Sequence, residues 1–312
     1  DPKYYTPDYM ELYGSASFMK AGCVFADKIS TVSPTDAEEI RTAYYGEGLD
    51  GILNARASDL SGILNGIDPK TFNPMKDPSI PSHFNAEKLA GKKKCKAALQ
   101  YALGLDKKQD VPVLSMVTRM TEQKGFELVI DMLDDIMENE NVQFVLLGTG
   151  DARYEDFMRS REWKYKGRLA AYIGYNEELA HLIYAGSDFF LMPSRFEPCG
   201  LSQMISMRYG CLPIVRETGG LKDSVIPYDP VTGEGDGFSF REFDACSMRS
   251  AIHDALACCS DKETMLTLIK NAMAQDFSFE RSAKEYVALY ISMLDDGKPA
   301  EGKQDNLPTS QE

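Results

Sequence analysis

Two kinds of segment, which differ in the spacing of their apolar residues, alternate through the middle of the chain. Short apolar runs occupy positions 111–117, 142–147, 169–172, 188–192 and 212–215, and apolar residues in the stretches between them recur three and four positions apart. The runs predict buried strands, and the wider spacing predicts amphipathic helices. Strands that alternate with helices form βαβ units, whose parallel sheet is covered by helices on both faces. The pattern therefore predicts an α/β fold with a doubly wound parallel sheet.

The segment before this region has a different pattern. Residues 26–33 predict a strand, and Ser33 followed by Pro34 is typical of a helix N-cap and a first helical position. Residues 61–69 predict a short strand that runs into a turn. A group of prolines then predicts an extended linker: Pro69, Pro74, Pro78 and Pro81.

Helices are predicted on both sides of the alternating region. Residues 86–103 have helical spacing and carry a run of three lysines at 92–94, which we interpret as a solvated face. Residues 264–273 and 282–293 also predict helices. The polar residues 297–312 predict a disordered tail.

The composition and charge of the chain exclude some classes of binding partner. The chain has 312 residues and a net charge of −14, which argues against nucleic acid and anionic membranes, because both attract basic surfaces. No apolar run is long enough for a transmembrane helix, and no signal-peptide pattern opens the sequence. The seven cysteines are scattered without a C-x-x-C pair, so we expect no disulfide framework and no zinc site. A cytoplasmic location follows as the expectation.

The most informative stretch is residues 193–203, which lies between a predicted strand and a predicted helix. The backbone N–H groups of Gly200, Leu201 and Ser202 would lie at the helix N-terminus, where the peptide dipoles favour an anion. Glu197 lies about one helical turn away. Since a phosphate would repel this carboxylate, we expect Glu197 to bind an uncharged group such as a sugar hydroxyl.

Two cations follow the strand predicted at 111–117. Arg119 and Lys124 are five positions apart across a loop and a helix start. A diphosphate is one ligand that this pair suits, because Arg binds phosphate oxygens bidentately and Lys acts as a point charge. From the spacing alone, a pair of surface cations that flank a helix is the favoured interpretation.

Two glycine-containing segments are less specific. Residues 148–151 read Gly-Thr-Gly-Asp and lack the third glycine of a dinucleotide fingerprint, so we interpret them as a turn that ends a strand. Gly219 and Gly220 would let a helix start approach the site closely.

The string at 193–203, Pro-Ser-Arg-Phe-Glu-Pro-Cys-Gly-Leu-Ser-Gln, resembles the donor-binding signature of bacterial glycogen synthases and plant starch synthases. These are retaining glucosyltransferases of the two-domain GT-B type that use ADP-glucose. The resemblance extends over about residues 13–293. Further matching strings occur in the expected order at 26–34, 64–68, 119–125, 173–175, 216–223 and 277–279.

The resemblance implies a function and a set of site residues. The enzyme would transfer glucose from ADP-glucose to the non-reducing end of an α-1,4-glucan with retention, without a metal or cofactor. Arg119 and Lys124 would bind the donor phosphates and Glu197 the glucose, as the catalytic residues. The donor-binding positions would be Gly174, Tyr175, Cys199, Gly200, Leu201 and Ser202.

Tyr175 and one further candidate, Asn65, each have an alternative interpretation. In the family, the tyrosine at the position of Tyr175 stacks on adenine. A tyrosine at the end of a strand is also common in a hydrophobic core or at the rim of one. Asn65 is a candidate cleft residue, and an Asn-Gly turn explains it equally well.

The resemblance also predicts a division of the chain. Residues 1–66 would be the C-terminal part of the acceptor-side, N-terminal Rossmann-like domain, and residues 67–277 the nucleotide-sugar donor domain. Residues 278–296 would be a crossover helix, before the tail at 297–312. The Lys-x-Gly-Gly-Leu segment of the family and its histidine near the reacting sugar are not found, because His83, His181 and His253 lie in other contexts.

Catalysis is therefore expected to require an N-terminal domain that the sequence does not contain, and this domain is a candidate partner. Two other functions stay open. One is a related retaining transferase that uses UDP-glucose, and the other is a non-catalytic or split-enzyme domain that binds ADP or ADP-glucose. A plant or algal source would place the enzyme in a plastid instead of the cytoplasm.

Overall fold

A computed structural model describes residues 2–295 of the protein. Residues 2–66 form two small sheets, three short α-helices and two 3₁₀ turns. β1 and β2 pair antiparallel, whereas β3 and β4 form a parallel pair with Ile29 opposite Leu60. The elements are β1 (Glu11–Leu12), β2 (Ser15–Ala16), α1 (Phe18–Phe25), β3 (Ile29–Thr31), α2 (Pro34–Glu39), α3 (Asp50–Ala55) and β4 (Leu60–Gly62). The predicted cap is confirmed, because the Ser33 hydroxyl accepts the Asp36 N–H at 3.1 Å.

A six-stranded parallel sheet forms the larger part, with strand order β10-β9-β8-β5-β6-β7. Its strands are β5 (Val113–Val117), β6 (Gln143–Gly148), β7 (Leu169–Ile173), β8 (Phe189–Met192), β9 (Leu212–Arg216) and β10 (Phe238–Phe240). The helices are α4 (Ala90–Ala102), α5 (Phe126–Asn139), α6 (Ala152–Lys164), α7 (Glu177–Gly186), α8 (Ser202–Arg208), α9 (Gly219–Ser224), α10 (Ala245–Cys258), α11 (Lys262–Ala274) and α12 (Phe279–Asp295). The predicted doubly wound α/β arrangement is confirmed.

Alternate residues of the central strands enter two separate hydrophobic clusters. Leu114 and Phe144 pack with the apolar side chains of α5 on one face. Val113 and Val145 pack with Leu99 of α4 and Ile183 of α7 on the other. Because side chains of a strand alternate between the faces of a sheet, a strand covered on both sides is apolar at consecutive positions. This explains the uninterrupted apolar runs in the sequence.

Two predictions for residues 69–103 are wrong. The proline-rich segment is not extended: it folds into successive turns, and Asp77 within it is only 2 % exposed. The second error concerns Lys92, which we expected on a solvated face. Its side chain is buried, and Nζ donates hydrogen bonds to the carbonyl oxygens of four residues: Tyr184, Ala185, Ser187 and Tyr209.

The last helix lies against the end of the N-terminal segment. The Ile67 N–H donates to the Phe277 carbonyl at 2.7 Å, and the Ser282 hydroxyl donates to the Leu64 carbonyl at 2.6 Å. The predicted tail at 297–312 lies outside the described residues. Between residues 2 and 295, no helix is both long enough and apolar enough to cross a membrane.

Candidate active site

The predicted site loops all follow strands of the large sheet, so they share its carboxyl edge. The loops after β5 and β6 run side by side, with the Met120 N–H bonded to the Thr149 carbonyl at 2.8 Å. The Gly174 N–H after β7 donates to the Gly148 carbonyl at 3.0 Å. At Gly148 only glycine fits, because a Cβ atom would lie 1.8 Å from the backbone oxygen of Thr118.

The loop after β5 is fixed against the loop after β8. A short 3₁₀ turn, Glu122–Lys124, ends at Gly125, which has φ +75°. A Cβ atom on Gly125 would lie 2.0 Å from the Pro193 carbonyl oxygen. The Arg195 N–H donates to the Gln123 carbonyl at 2.8 Å, which adds a direct link between the two loops.

Lys124 and Glu197, predicted separately, form an ion pair. Lys124 Nζ lies 2.5 Å from Glu197 Oε2, and the Ser194 hydroxyl donates to the same oxygen at 3.0 Å. Both side chains are largely buried, so each charge compensates the desolvation of the other. The pair therefore holds a cation and a carboxylate in fixed positions at the edge of the sheet.

Arg119, Lys124 and Ser202 line one cavity of about 150 Å³. Gly200, just before α8, has φ +71°, a left-handed conformation that favours glycine. The backbone N–H groups of Gly200, Leu201 and Ser202 have no hydrogen-bond acceptor among residues 2–295. Two cations beside a helix start with free N–H groups make this cavity favourable for a phosphate-type anion.

An adjoining cavity of about 320 Å³ is lined by Gly174, Tyr175 and Arg119. Arg119 thus lies at the junction of the two cavities, and within the described part of the chain its guanidinium has no ion-pair partner. The Tyr175 ring is 87 % exposed, so one of its faces is free for a flat ligand. Gly148 and Thr149 also line this cavity, so segment 148–151 is more than the strand-ending turn we predicted.

Cys199 lines neither cavity. Its thiol is 6 % exposed, and burial raises its pKa to about 11, although the backbone of Asn65 lies within hydrogen-bonding reach and opposes the rise. The thiol is therefore neutral at neutral pH. The structure thus brings Asn65 to the loop after β8. Leu201 is exposed, and neither Leu201 nor Gly200 lines either of the two cavities.

The loop that carries Glu197 rests on the start of α9. The Gly220 N–H donates to the Glu197 and Pro198 carbonyls at 3.1 Å each. A Cβ atom on Gly219 would lie 2.1 Å from the Glu197 carbonyl oxygen. The predicted close approach of this glycine pair is confirmed.

Two families of known proteins match parts of this chain. The sequence profile described as "Glycosyl transferases group 1" matches residues 104–275, and that described as "Starch synthase catalytic domain" matches residues 1–55. The chain belongs to the glycosyl transferases group 1 family. It is 49 % identical to a glycogen synthase of Bacillus cereus over 94 % of this chain and 61 % of the relative. A glycogen synthase of Geobacillus thermodenitrificans is 50 % identical over 94 % of this chain and 60 % of the relative.

Among solved structures, the catalytic domain of starch synthase IV from Arabidopsis thaliana, bound to ADP and acarbose, matches with a TM-score of 0.88 and 37 % identity. The match covers 94 % of this chain and 62 % of that one. The fold is therefore of the GT-B glycosyltransferase type, and the resemblance to glycogen and starch synthases is confirmed. The chain spans about 60 % of the length of the glycogen synthases it matches.

Several contacts of the candidate site were not predicted. Phe72 and His181 line the larger cavity, yet one comes from the proline-rich segment and the other from the middle of α7. The Ser33 hydroxyl donates to the Pro198 carbonyl at 2.7 Å, and Glu39 accepts from the Gly219 N–H at 3.1 Å. These contacts place the N-terminal segment directly against the Glu197 loop. The contact of Ser194 with Glu197 was not predicted either, although Ser194 lies inside the signature string at 193–203 and could have been identified from it.

Replacing Gly148 by alanine should separate the loops after β5 and β6. The clash is between backbone atoms on both sides, so no flexible side chain can relieve it. We expect a loss of stability of about 1–3 kcal/mol, because the two loops can no longer approach each other so closely. Thermal unfolding followed by circular dichroism would measure the loss.

The control is Gly22→Ala in α1, where the new Cβ atom would have no neighbour within 4 Å. This variant should be at least as stable as the unaltered protein, because alanine favours a helix more than glycine does. Equal stability of the two variants would contradict the importance of the close approach at Gly148.

Among residues 2–295, no three His, Cys, Asp or Glu side chains are placed to hold a metal ion together.

Proposed function

We propose that this chain is the donor-binding part of a glycogen- or starch-synthase-type enzyme. The enzyme would transfer glucose from ADP-glucose to the non-reducing end of an α-1,4-glucan with retention of configuration. The observation that carries the proposal is the cavity lined by Arg119, Lys124 and Ser202, with the Glu197 carboxylate paired to Lys124 beside it. The glycogen synthase relatives support the choice of reaction.

The diphosphate of the donor would occupy the smaller cavity. When the bond from the sugar to the phosphate breaks, negative charge grows on the departing diphosphate. Arg119, Lys124 and the free N–H groups before α8 are already in place, so they stabilise this charge without reorganisation. The same groups neutralise the diphosphate without a metal ion.

Glu197 would hold the glucose and would not act as a nucleophile. Its Oε2 is occupied by Lys124 and Ser194, whereas Oε1 has no partner among the described residues. Oε1 can therefore accept a hydrogen bond from a glucose hydroxyl and fix the sugar as positive charge develops on the reacting carbon. We propose that the acceptor hydroxyl attacks from the face that the phosphate leaves, and that the phosphate takes its proton.

The adenosine would occupy the larger cavity, where the exposed Tyr175 ring offers a surface for stacking. Gly174 brings this tyrosine to the edge of the sheet at the end of β7. Since Arg119 lines both cavities, it lies where the nucleoside joins the diphosphate.

The proposed partners are ADP-glucose, an α-glucan and the remaining domain of a GT-B enzyme. Helix α12 presents a row of exposed apolar side chains that this domain would cover: Phe279, Val287, Tyr290, Ile291, Met293 and Leu294. Exposed apolar patches of this kind mark interaction surfaces. Seven free cysteines, of which Cys246 is exposed, are consistent with the cytoplasmic location that we propose.

Calorimetric titration of the chain with ADP, ADP-glucose and UDP-glucose, in buffer without metal, tests the proposal. We expect ADP and ADP-glucose to bind and UDP-glucose to bind far more weakly. Arg119→Ala should weaken binding of both adenine nucleotides, whereas Lys93→Ala, at an exposed lysine of α4, should not. A folded protein that binds none of the three would contradict the proposed function.

A further inference from the structure

A buried hydrogen-bonded group lies behind the larger cavity. Asp77 Oδ2 lies 2.7 Å from His181 Nδ1 and 2.5 Å from the Tyr209 hydroxyl. The exposed fractions of the three residues are 2 % for Asp77, 6 % for His181 and 0 % for Tyr209. They come from the proline-rich segment, from α7 and from the end of α8, so the group exists only in the folded protein.

The contacts of Asp77 fix the proton on His181. Burial opposes ionisation of Asp77, but the hydrogen bonds from Tyr209 and His181 outweigh it and hold the pKa of the carboxyl below its usual range. Burial raises the pKa of Tyr209, so this residue remains a phenol that donates. A carboxylate only accepts hydrogen bonds, so Nδ1 of His181 must carry the proton that it shares with Asp77.

In the neutral imidazole, the other ring nitrogen of His181 then has a free lone pair. Nε2 has no hydrogen-bond partner among residues 2–295, and it is not sealed from solvent. His181 lines the cavity of about 320 Å³, and since Nδ1 is bonded to Asp77, Nε2 is the ring nitrogen left for a ligand in this space. An acceptor atom on a side chain that is more than nine-tenths buried is thus available to a ligand.

The surroundings of Nε2 suit a flat heterocycle. The Phe72 ring stacks on the His181 ring, with 5.2 Å between the centroids and 22° between the planes. Phe72, Tyr175 and Tyr184 all line the same cavity. A nucleobase can stack on these aromatic rings, whereas a ribose cannot.

We propose that His181 selects the base of the nucleotide, with Nε2 accepting a hydrogen bond from the exocyclic amino group of adenine. This inference rests on the proposed function, in which the cavity takes the nucleoside of the donor. A 6-oxo base such as hypoxanthine would place an oxygen lone pair against the lone pair of Nε2. His181 would then act as a specificity-determining residue, and Asp77 as a positioning residue that sets its tautomer.

Comparison of ADP with inosine diphosphate in calorimetric titrations of the full chain tests the assignment. We expect the unaltered protein to bind ADP about tenfold or more tightly, because the oxo analogue leaves two acceptors facing each other. His181→Phe keeps the ring stacked on Phe72 but removes both nitrogens. It should bring the ratio of the two affinities close to one.

Asp77→Asn gives a result that a purely structural role would not produce. Asp77 Oδ1 accepts the Ser79 N–H at 2.8 Å, so the amide oxygen of the substituted side chain should take that position and its NH₂ group should face His181. The NH₂ group would donate to Nδ1 and move the ring proton to Nε2, which then donates. The preference should shift towards inosine diphosphate.

Several results would overturn the assignment. The first is equal binding of ADP and inosine diphosphate by the unaltered protein, a comparison that needs no variant to fold. The second is a His181→Phe protein that still prefers ADP to inosine diphosphate. The third is a His181→Phe protein that no longer discriminates against 2′-deoxy-ADP, because that result would place the contact on the ribose.

His253→Phe, at an exposed histidine of α10, is the matched control and should leave the ratio unchanged. If the unaltered chain bound ADP but failed the base comparison, the proposed function would stand and this inference alone would fall. Failure to bind ADP at all would overturn both.

Discussion

Lys124→Ala is expected to lower turnover by roughly two orders of magnitude or more, equivalent to about 3–4 kcal/mol of transition-state stabilisation. The assay requires the chain extended to the full length of its glycogen synthase relatives. The loss arises because Lys124 is fixed beside the cavity proposed for the diphosphate, where charge grows as the sugar departs. Initial rates of glucose transfer from ADP-glucose to glycogen would measure it.

Arg119→Ala should cost a similar factor in turnover, but the two variants should differ in stability. Removal of Lys124 leaves the Glu197 carboxylate, 7 % exposed, without its cation, whereas no carboxylate in the described part of the chain depends on Arg119. An unpaired buried charge is costly, so only Lys124→Ala should also lower the unfolding midpoint. Lys93→Ala is the control for both and should retain full turnover. Near-normal turnover of Lys124→Ala or Arg119→Ala would contradict the phosphate-binding role.

Lys92→Met is expected to lower the free energy of unfolding by about 2–4 kcal/mol. Lys92 Nζ donates to the carbonyls of Ser187 at 2.8 Å and Tyr209 at 3.0 Å, and to two further carbonyls in the last turn of α7. Carbonyls at helix ends have no partner inside the helix, so the ammonium supplies it and also complements the helix dipoles. Methionine would leave these oxygens buried and unpaired.

The expected loss is moderated because methionine also removes a buried charge, whose desolvation lowers the pKa of Lys92. Urea unfolding at neutral pH, followed by circular dichroism, would measure the difference. Lys93→Met is the matched control, because Lys93 is the next residue of the same helix and is exposed. Equal stability of the two variants would contradict the role assigned to Lys92.

The local features of the fold follow from neighbouring residues and could therefore be predicted. The apolar runs predict the central strands, Ser33 and Pro34 predict the start of α2, and the string around Gly200 predicts the turn before α8. Parallel strands place their carboxyl ends at one edge, so the strands predicted before Arg119, Tyr175 and Glu197 are enough to bring these loops to one side of the sheet. The domain boundaries and the roles of the site residues stay predictions.

Other features depend on residues far apart in the chain, and no local pattern reveals them. Lys124 and Glu197 are 73 positions apart, Asp77 and His181 are 104 apart, and Lys92 lies 92 positions from Tyr184. A lysine run looks the same whether its first member is solvated or bonded to four carbonyls. Likewise, the proline-rich segment reveals neither its turns nor the position of Phe72 in the wall of the larger cavity.

By itself the sequence determined the α/β class, the order of the central strands and helices, the signature loop and the family, because each rests on local spacing or on a contiguous string. Only the tertiary structure decided which charges pair, which lysine is buried and which histidine faces the cavity. The physical reason is that burial and hydrogen bonding between distant residues are fixed by packing, which brings together groups that no short stretch of sequence contains.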